Sequence, residues 1–225
     1  VDVTMIVRDH DKENFENKYT AYELGYDKVG KRNDKKTAYQ GFSLGYTDGK
    51  SSYSRGSGDN ESKSLSLYNT ELRKKGHYLD AVFKIMDIKN NFKIYDSQNN
   101  KITGASNNLG ISISAEYGRK KELGNGWYIE PQAQLTFGHL GGDNYTTSNG
   151  IKVKQKDITS AVGRIGFNYG RQLSEKSKFY VKANLFHEFG GDYSILMRDS
   201  TDILKAKGNF RDTWFEYGIG TAFST

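Results

Sequence analysis

The sequence predicts an all-β protein, a transmembrane up-and-down antiparallel β-barrel, on three observations. Apolar and polar residues alternate strictly over segments of about ten residues, the length of a tilted membrane-spanning strand. Short polar links take turns with long ones along the chain, as they do when the two ends of a barrel differ. Composition is the third: hydrophobic residues make up only 35% of 225, yet aromatics reach 13%, with 25 glycines and a single proline. A chain of mean hydropathy -0.77 is poor in material for a soluble core, while its aromatics and scarcity of proline favour ordered strands joined by polar turns.

The strands follow in order. The opening VDVTMIVRD is the first. YTAYELGYD sets Tyr22, Leu24 and Tyr26 against Glu23, Gly25 and Asp27, and AYQGFSLGY sets Phe42, Leu44 and Tyr46 against Gly41, Ser43 and Gly45. SLSLYNT and YLDAVFKIM behave alike. In residues 109 to 118, Leu109, Ile111, Ile113, Ala115 and Tyr117 share one face, and Gly110, Ser112, Ser114, Glu116 and Gly118 the other. After the charged turn KKELGNG the pattern resumes, with Trp127, Ile129, Pro131, Ala133, Leu135 and Phe137 against Tyr128, Glu130, Gln132, Gln134 and Thr136. This period of two on both sides of a turn is a β-hairpin. Residues 160 to 169, 178 to 189 and 213 to 223 repeat it, which gives about ten strands. The links DKVGKRNDKK, RKKG, KKELGN and QLSEKS are short. The polar stretches 49 to 62, 91 to 106, 141 to 157 and 193 to 210 read as long loops.

A soluble barrel shows the same period with its apolar side chains inside. Two features assign the apolar face to lipid instead. Soluble strands are typically 5–6 residues long, and these are nearer ten, with Tyr117, Trp127, Phe137, Tyr169 and Phe179 toward their ends, where interfacial girdles belong. A closed barrel of ten or more strands is also too wide for side chains alone to fill. The polar face then lines a lumen: Glu116, Glu130, Gln132, Gln134, Arg164, Lys182, Glu188 and Glu216 are the expected lining. Because the strands of Glu130 and Arg164 are consecutive in the meander and pair side by side, Arg164 is expected to meet Glu130 or Gln132.

The same residues exclude most chemistry. Without cysteine there is no disulfide, thiolate metal site or cysteine nucleophile. No apolar run approaches the ~18 residues of a membrane-spanning helix, and the leader of an exported chain is expected upstream of Val1. The net charge of +6 raises nucleic acid as a partner. The lysines, however, gather in turn-like stretches such as VGKRNDKKT and LRKKGH, without interleaved stacking aromatics, so solvated loops account for them. Alternation sends His187 and Glu188 to opposite faces, so they cannot share a proton. Asp9, His10 and Asp11 lie in one loop and Asp143 and Asp192 in others, where an acidic rim protease would place its catalytic groups; solvated loop charge is the simpler reading. No GxSxG, HExxH, P-loop or EF-hand pattern occurs. No catalytic residue, metal ligand or cofactor is assigned.

NGWYIEPQAQLTF, ITSAVGRIGFNYG, FYVKANLFHEFGGD and WFEYGIGTAFS stand in the order and spacing of the C-terminal half of a known family. With YTAYELGYDK and AYQGFSLGYT as early strands, the chain resembles over nearly all its length the translocator barrel of the classical autotransporters, the type V secretion family. The resemblance implies a barrel in the outer membrane of a Gram-negative bacterium, which anchors an N-terminal passenger and helps export it through a polar pore. It implies as partners the passenger, a linker helix that occupies the pore afterwards, the barrel assembly machinery and outer-membrane lipid, with no nucleic acid and no cofactor. The family's charged lumen positions carry over onto Glu130, Gln132, Arg164 and Glu216. The expected domain is 1–225, with about ten strands present of an expected twelve, since the chain stops at GTAFST one hairpin before the family's terminus and starts without the linker helix. A stand-alone porin or adhesin barrel is the alternative, with a rim-site protease behind it.

Overall fold

The computed structural model describes residues 2–8, 16–33, 35–200, 202–209 and 211–223. Among these residues, fifteen strands and one short 3-10 turn follow in order: β1 (Asp2–Arg8), β2 (Glu16–Arg32), β3 (Lys36–Tyr53), β4 (Gly56–Arg73), the turn Lys74–Gly76, β5 (His77–Tyr95), β6 (Lys101–Arg119), β7 (Lys121–Gly124), β8 (Trp127–Leu140), β9 (Asp143–Thr146), β10 (Lys152–Gln155), β11 (Ile158–Ser174), β12 (Ser177–Glu188), β13 (Asp192–Arg198), β14 (Ile203–Asn209) and β15 (Thr213–Phe223). The main sheet runs β1-β15-β12-β11-β8-β6-β5-β4-β3-β2, with β7 paired to β8. Every pairing in it is antiparallel, and from β2 to β12 the strands of the wall pair in the order in which they occur along the chain, with only β7, β9 and β10 falling between them. This is the predicted up-and-down barrel wall.

Its polarity is inverted relative to a soluble protein. The exposed side chains include Leu24, Leu44, Leu65, Ile113, Leu135, Phe137, Ile165, Phe215 and Ile219, whereas Ser43, Ser66, Asn108, Asn184, Glu188 and Glu216 are buried. Leu24 is 79% exposed and Glu216 4%. In water that arrangement would forfeit the hydrophobic stabilisation of every strand; in lipid it is the favourable one, because no backbone group on a paired ladder meets hydrocarbon unbonded. The exposed apolar row spans Leu109 to Tyr117 on β6 and Ala133 to Phe137 on β8, the parity predicted from the sequence.

The strands are longer than predicted. β2 to β6 and β11 contain 17 to 19 residues, because the ladder continues beyond the apolar band into polar sequence. Residues 49 to 62, expected as a loop, therefore form a tight hairpin that keeps register down to Tyr53 opposite Gly56. The expected loop 91 to 106 shrinks to residues 96 to 100, where Asn100 and Gln98 donate to the Asp96 carboxylate. Those bonds, first of all from Asn100, hold the Asp96 carboxyl below its ordinary value. Residues 141 to 157 and 193 to 210 supply β9, β10, β13 and β14, a separate sheet in the order β14-β13-β10-β9. That sheet attaches to the part of β6 that β8 does not reach: Gly141 N donates to Leu109 O at 2.8 Å, and Ser148 N to Thr103 O at 2.9 Å.

Inward glycines set how closely some strands pack. Tyr78 stands opposite Gly118, and Tyr180 opposite Gly220. A Cβ on Gly118 would overlap the Tyr78 ring, whose hydroxyl donates to Glu116 at 2.6 Å. Gly118→Val is thus expected to displace Tyr78 and cost about 1–2 kcal/mol of barrel stability. Gly138→Ala, where the nearest atom stands 3.8 Å from the new Cβ, should be neutral. Urea unfolding in lipid vesicles, followed by tryptophan fluorescence, compares the two.

Candidate functional site

The inner face of β6, β8, β11, β12 and β15 carries a connected polar cluster around a cavity of about 540 Å³. Its position follows from register. Glu116 on β6 stands opposite Gln134 on β8, and Gln134 opposite Arg164 on β11. One level along, Asn184 on β12 stands opposite Glu216 on β15. Directly opposed residues project to the same face, so five strands deliver these side chains to one wall.

Arg164 is the hub. Its Nη2 pairs with Glu116 Oε2 at 2.6 Å, Nε donates to Gln134 Oε1 at 3.1 Å, and Nη1 donates to Asn184 Oδ1 at 2.8 Å and to Gln132 Oε1 at 3.2 Å. The side chains of Arg164 and Glu116 are only 11% and 17% exposed, so the planar guanidinium does here what a lysine could not, satisfying four acceptors from a fixed fork. Glu116 also accepts the Tyr78 hydroxyl. Glu216 accepts Asn184 Nδ2 at 3.2 Å and pairs with Lys182 Nζ at 3.5 Å. Glu130 accepts Gln132 Nε2 at 2.9 Å and Asn168 Nδ2 at 3.1 Å.

Seven of the eight residues predicted for the lumen therefore border one cavity: Glu116, Glu130, Gln132, Gln134, Arg164, Lys182 and Glu216. Glu188 stands apart. It is buried, but its carboxylate accepts the Ser160 hydroxyl and, at 2.8 Å each, the backbone N–H groups of Ala161 and Gly190, tying β11 and β12 to the loop that follows. Arg164 does reach Gln132, as expected, but not Glu130, which lies opposite Asn168. Tyr128 and Asn168, on the polar face by parity, border the same cavity; the sequence did not mark Tyr78, which bonds Glu116, or Phe186. The last stacks on Trp214, centroids 5.1 Å apart and 2° from parallel. Parity with Lys182 and Asn184 is the one signal that could have marked Phe186 as inward.

His187 and Glu188 diverge: the imidazole bonds Thr213 Oγ1 at 2.7 Å and packs edge-on to Phe189. Asp143 accepts the N–H of Asn107 and of Asn144, and Asp192 pairs with Arg211 at 3.4 Å. Asp9, His10 and Asp11 lie outside the described residues. Among the described residues no three His, Asp or Glu side chains form a group able to hold a metal ion.

An antiparallel wall that turns leucine and tyrosine outward and a bonded set of charges inward defines the class: an outer-membrane-type β-barrel with a polar interior. Within that class the chain belongs to the autotransporter β-domain family, whose model matches residues 7–225. It is 32% identical over 203 residues to the probable autotransporter YcgV of Escherichia coli strain K12, covering 85% of this chain and 21% of that protein. It is 30% identical over 217 residues to the pertactin autotransporter of Bordetella parapertussis, covering 92% and 23%. Among solved structures, the β domain of the Bordetella autotransporter BrkA superposes with a TM-score of 0.72 at 23% identity, over 94% of this chain and 92% of that one. The chain thus spans about a fifth of the length of the curated relatives it matches. It is an outer-membrane translocator domain of a Gram-negative bacterium.

Proposed function

We propose that the cavity beside Arg164 is part of the route by which a passenger encoded in the same polypeptide leaves the cell, and that a linker segment preceding the barrel rests there afterwards. The observation that carries this reading is the wall itself, in which the carboxylates of Glu116, Glu130 and Glu216 are already bonded to neighbours in the barrel. A threading chain then meets polar groups that hydrate it without a strong fixed charge to hold it, so transport needs no cofactor and no chemical step. In the same reading the barrel assembly machinery inserts the domain and the passenger carries the biological activity. No residue of the domain acts as a catalyst.

Accessibility tests it. In the full-length protein, Glu130→Cys and Gln132→Cys should react with a small hydrophilic thiol reagent when the upstream linker is deleted, and should be protected when it is present. Pro131→Cys and Ala133→Cys, on the exposed face of β8, should remain unreactive in both. Labelling at 130 and 132 that ignores the linker would remove the plugged-pore reading, and labelling at 131 and 133 would reverse the faces.

A further inference from the structure

The second sheet carries a feature that export does not use. Its strands bring Lys152 and Lys154 of β10, Arg198 of β13, and Lys205 and Lys207 of β14 to one face. Lys152 stands directly opposite Arg198, Lys154 opposite Leu196, Leu196 opposite Lys205, and Ser194 opposite Lys207. Directly opposed residues share a face, so the five cations form one cluster: Lys152 and Arg198 stand about 5 Å apart across strands, Lys152 and Lys154, like Lys205 and Lys207, about 7 Å apart along one strand, and Leu196 lies between Lys154 and Lys205. All five are exposed. None takes part in the ion pairs found among the described residues, although lysines on the main wall, such as Lys36 and Lys63, find a glutamate. Two cations in direct cross-strand register, as Lys152 and Arg198 are, destabilise a sheet unless an anion lies between them.

The direction of this face follows from the other one. Tyr145, opposite the buried Val153, sets its ring edge-on to Phe92, centroids 6.0 Å apart. Phe92 shares the unbroken register of β5 with Tyr78, whose hydroxyl reaches the inner cluster. The Tyr145 and Val153 face thus turns toward the barrel axis. The cationic face is its reverse, continuous with the outward side of β6, where Leu109, Ile111 and Ile113 meet lipid. The sheet stands at the end of the barrel with the longer connections, beyond the apolar band.

We propose that this face, through Lys152, Lys154, Arg198, Lys205 and Lys207, binds the phosphate groups of lipid headgroups in the adjoining leaflet. Charge and position are complementary: the basic cluster stands on the lipid side of the wall, just past the hydrocarbon, where phosphorylated headgroups lie, and clustered lysines at a membrane surface are drawn to anionic lipid. The inference rests on the membrane orientation of the wall and is independent of what passes through the lumen.

The experiment uses the full-length protein in detergent micelles, immobilised and titrated with a purified bis-phosphorylated outer-leaflet glycolipid, with its dephosphorylated form, and with the phosphorylated saccharide freed of its acyl chains. The phosphorylated glycolipid should bind in a salt-dependent manner and the dephosphorylated form weakly. Lys152→Gln, Lys154→Gln, Lys205→Gln and Lys207→Gln combined should lower affinity about 10–100-fold while heat-dependent gel mobility shows the barrel still folded. Lys74→Gln with Lys75→Gln, in the turn at the other end, should leave binding unchanged. Equal binding by wild type and the fourfold variant, or equal binding of both glycolipids, overturns the proposal. Competition by the acyl-free saccharide at the same concentration as the glycolipid would assign the face to a free polyanion and overturn the lipid assignment.

Discussion

Ile113→Arg and Leu135→Arg should each cost about 2–4 kcal/mol of barrel stability, and the protein should fail to insert in quantity, while Ser114→Arg is far better tolerated. Ile113 is 57% exposed on the outer face, between Phe83 and Phe137 on the neighbouring strands. Leu135 is opposite Ala115 and Gly163 on the same surface. A guanidinium at either position must leave water for hydrocarbon or pull the bilayer thin around it. Ser114, one residue along, sits between Val82 and Thr136 on the inner face, where an arginine stays hydrated. The fraction of heat-modifiable protein in outer membranes, with urea midpoints of the refolded variants, measures the difference. Equal tolerance at all three positions would contradict the orientation of the wall.

Arg164→Met should destabilise the folded barrel by about 2–3 kcal/mol, because it strips the charged partner from Glu116 and leaves the side-chain carbonyls of Gln132 and Gln134 without a donor. The cavity beside them admits water, which keeps the loss below that of a dry ion pair. Adding Glu116→Gln to Arg164→Met should recover about 1–2 kcal/mol, since the uncompensated carboxylate is then gone. A double-mutant cycle by urea unfolding in vesicles reads the coupling. An Arg164→Met variant as stable as the parent, or one that Glu116→Gln fails to improve, would show that the contact is incidental. Arg164→Lys should fall between, because an ammonium reaches Glu116 but cannot also serve three amide oxygens.

The outer face was legible residue by residue. Period-two alternation is a property of the extended backbone, so once 109 to 117 and 127 to 137 are strands, Ile113 and Leu135 share one side whatever surrounds them. Aromatics at strand ends and low hydropathy then chose lipid for that side, and the structure exposes Leu109, Ile111, Ile113, Tyr117, Leu135 and Phe137 there, while Trp127 and Ile129, where β7 pairs with β8, are half-buried. The strand lengths were not legible. Residues 49 to 62 lack apolar alternation, yet pairing with their neighbours holds them extended, since above the hydrocarbon a ladder needs hydrogen-bond partners rather than hydrophobic side chains. The same holds for β9, β10, β13 and β14, which pattern alone read as loops.

The inner cluster divides along the same line. Parity by itself put Glu116, Gln134, Arg164 and Glu216 on the polar face. It could not say that Arg164 would reach across β8 to Glu116, because that contact depends on the stagger of three strands, and a shift of two residues in either hairpin would preserve every facing while exchanging every partner. Sequence by itself determined which side of the wall each residue occupies, since backbone geometry requires it. Only the tertiary structure decided the partners, because register is set by turns and cross-strand packing such as Tyr78 on Gly118, which no local pattern encodes.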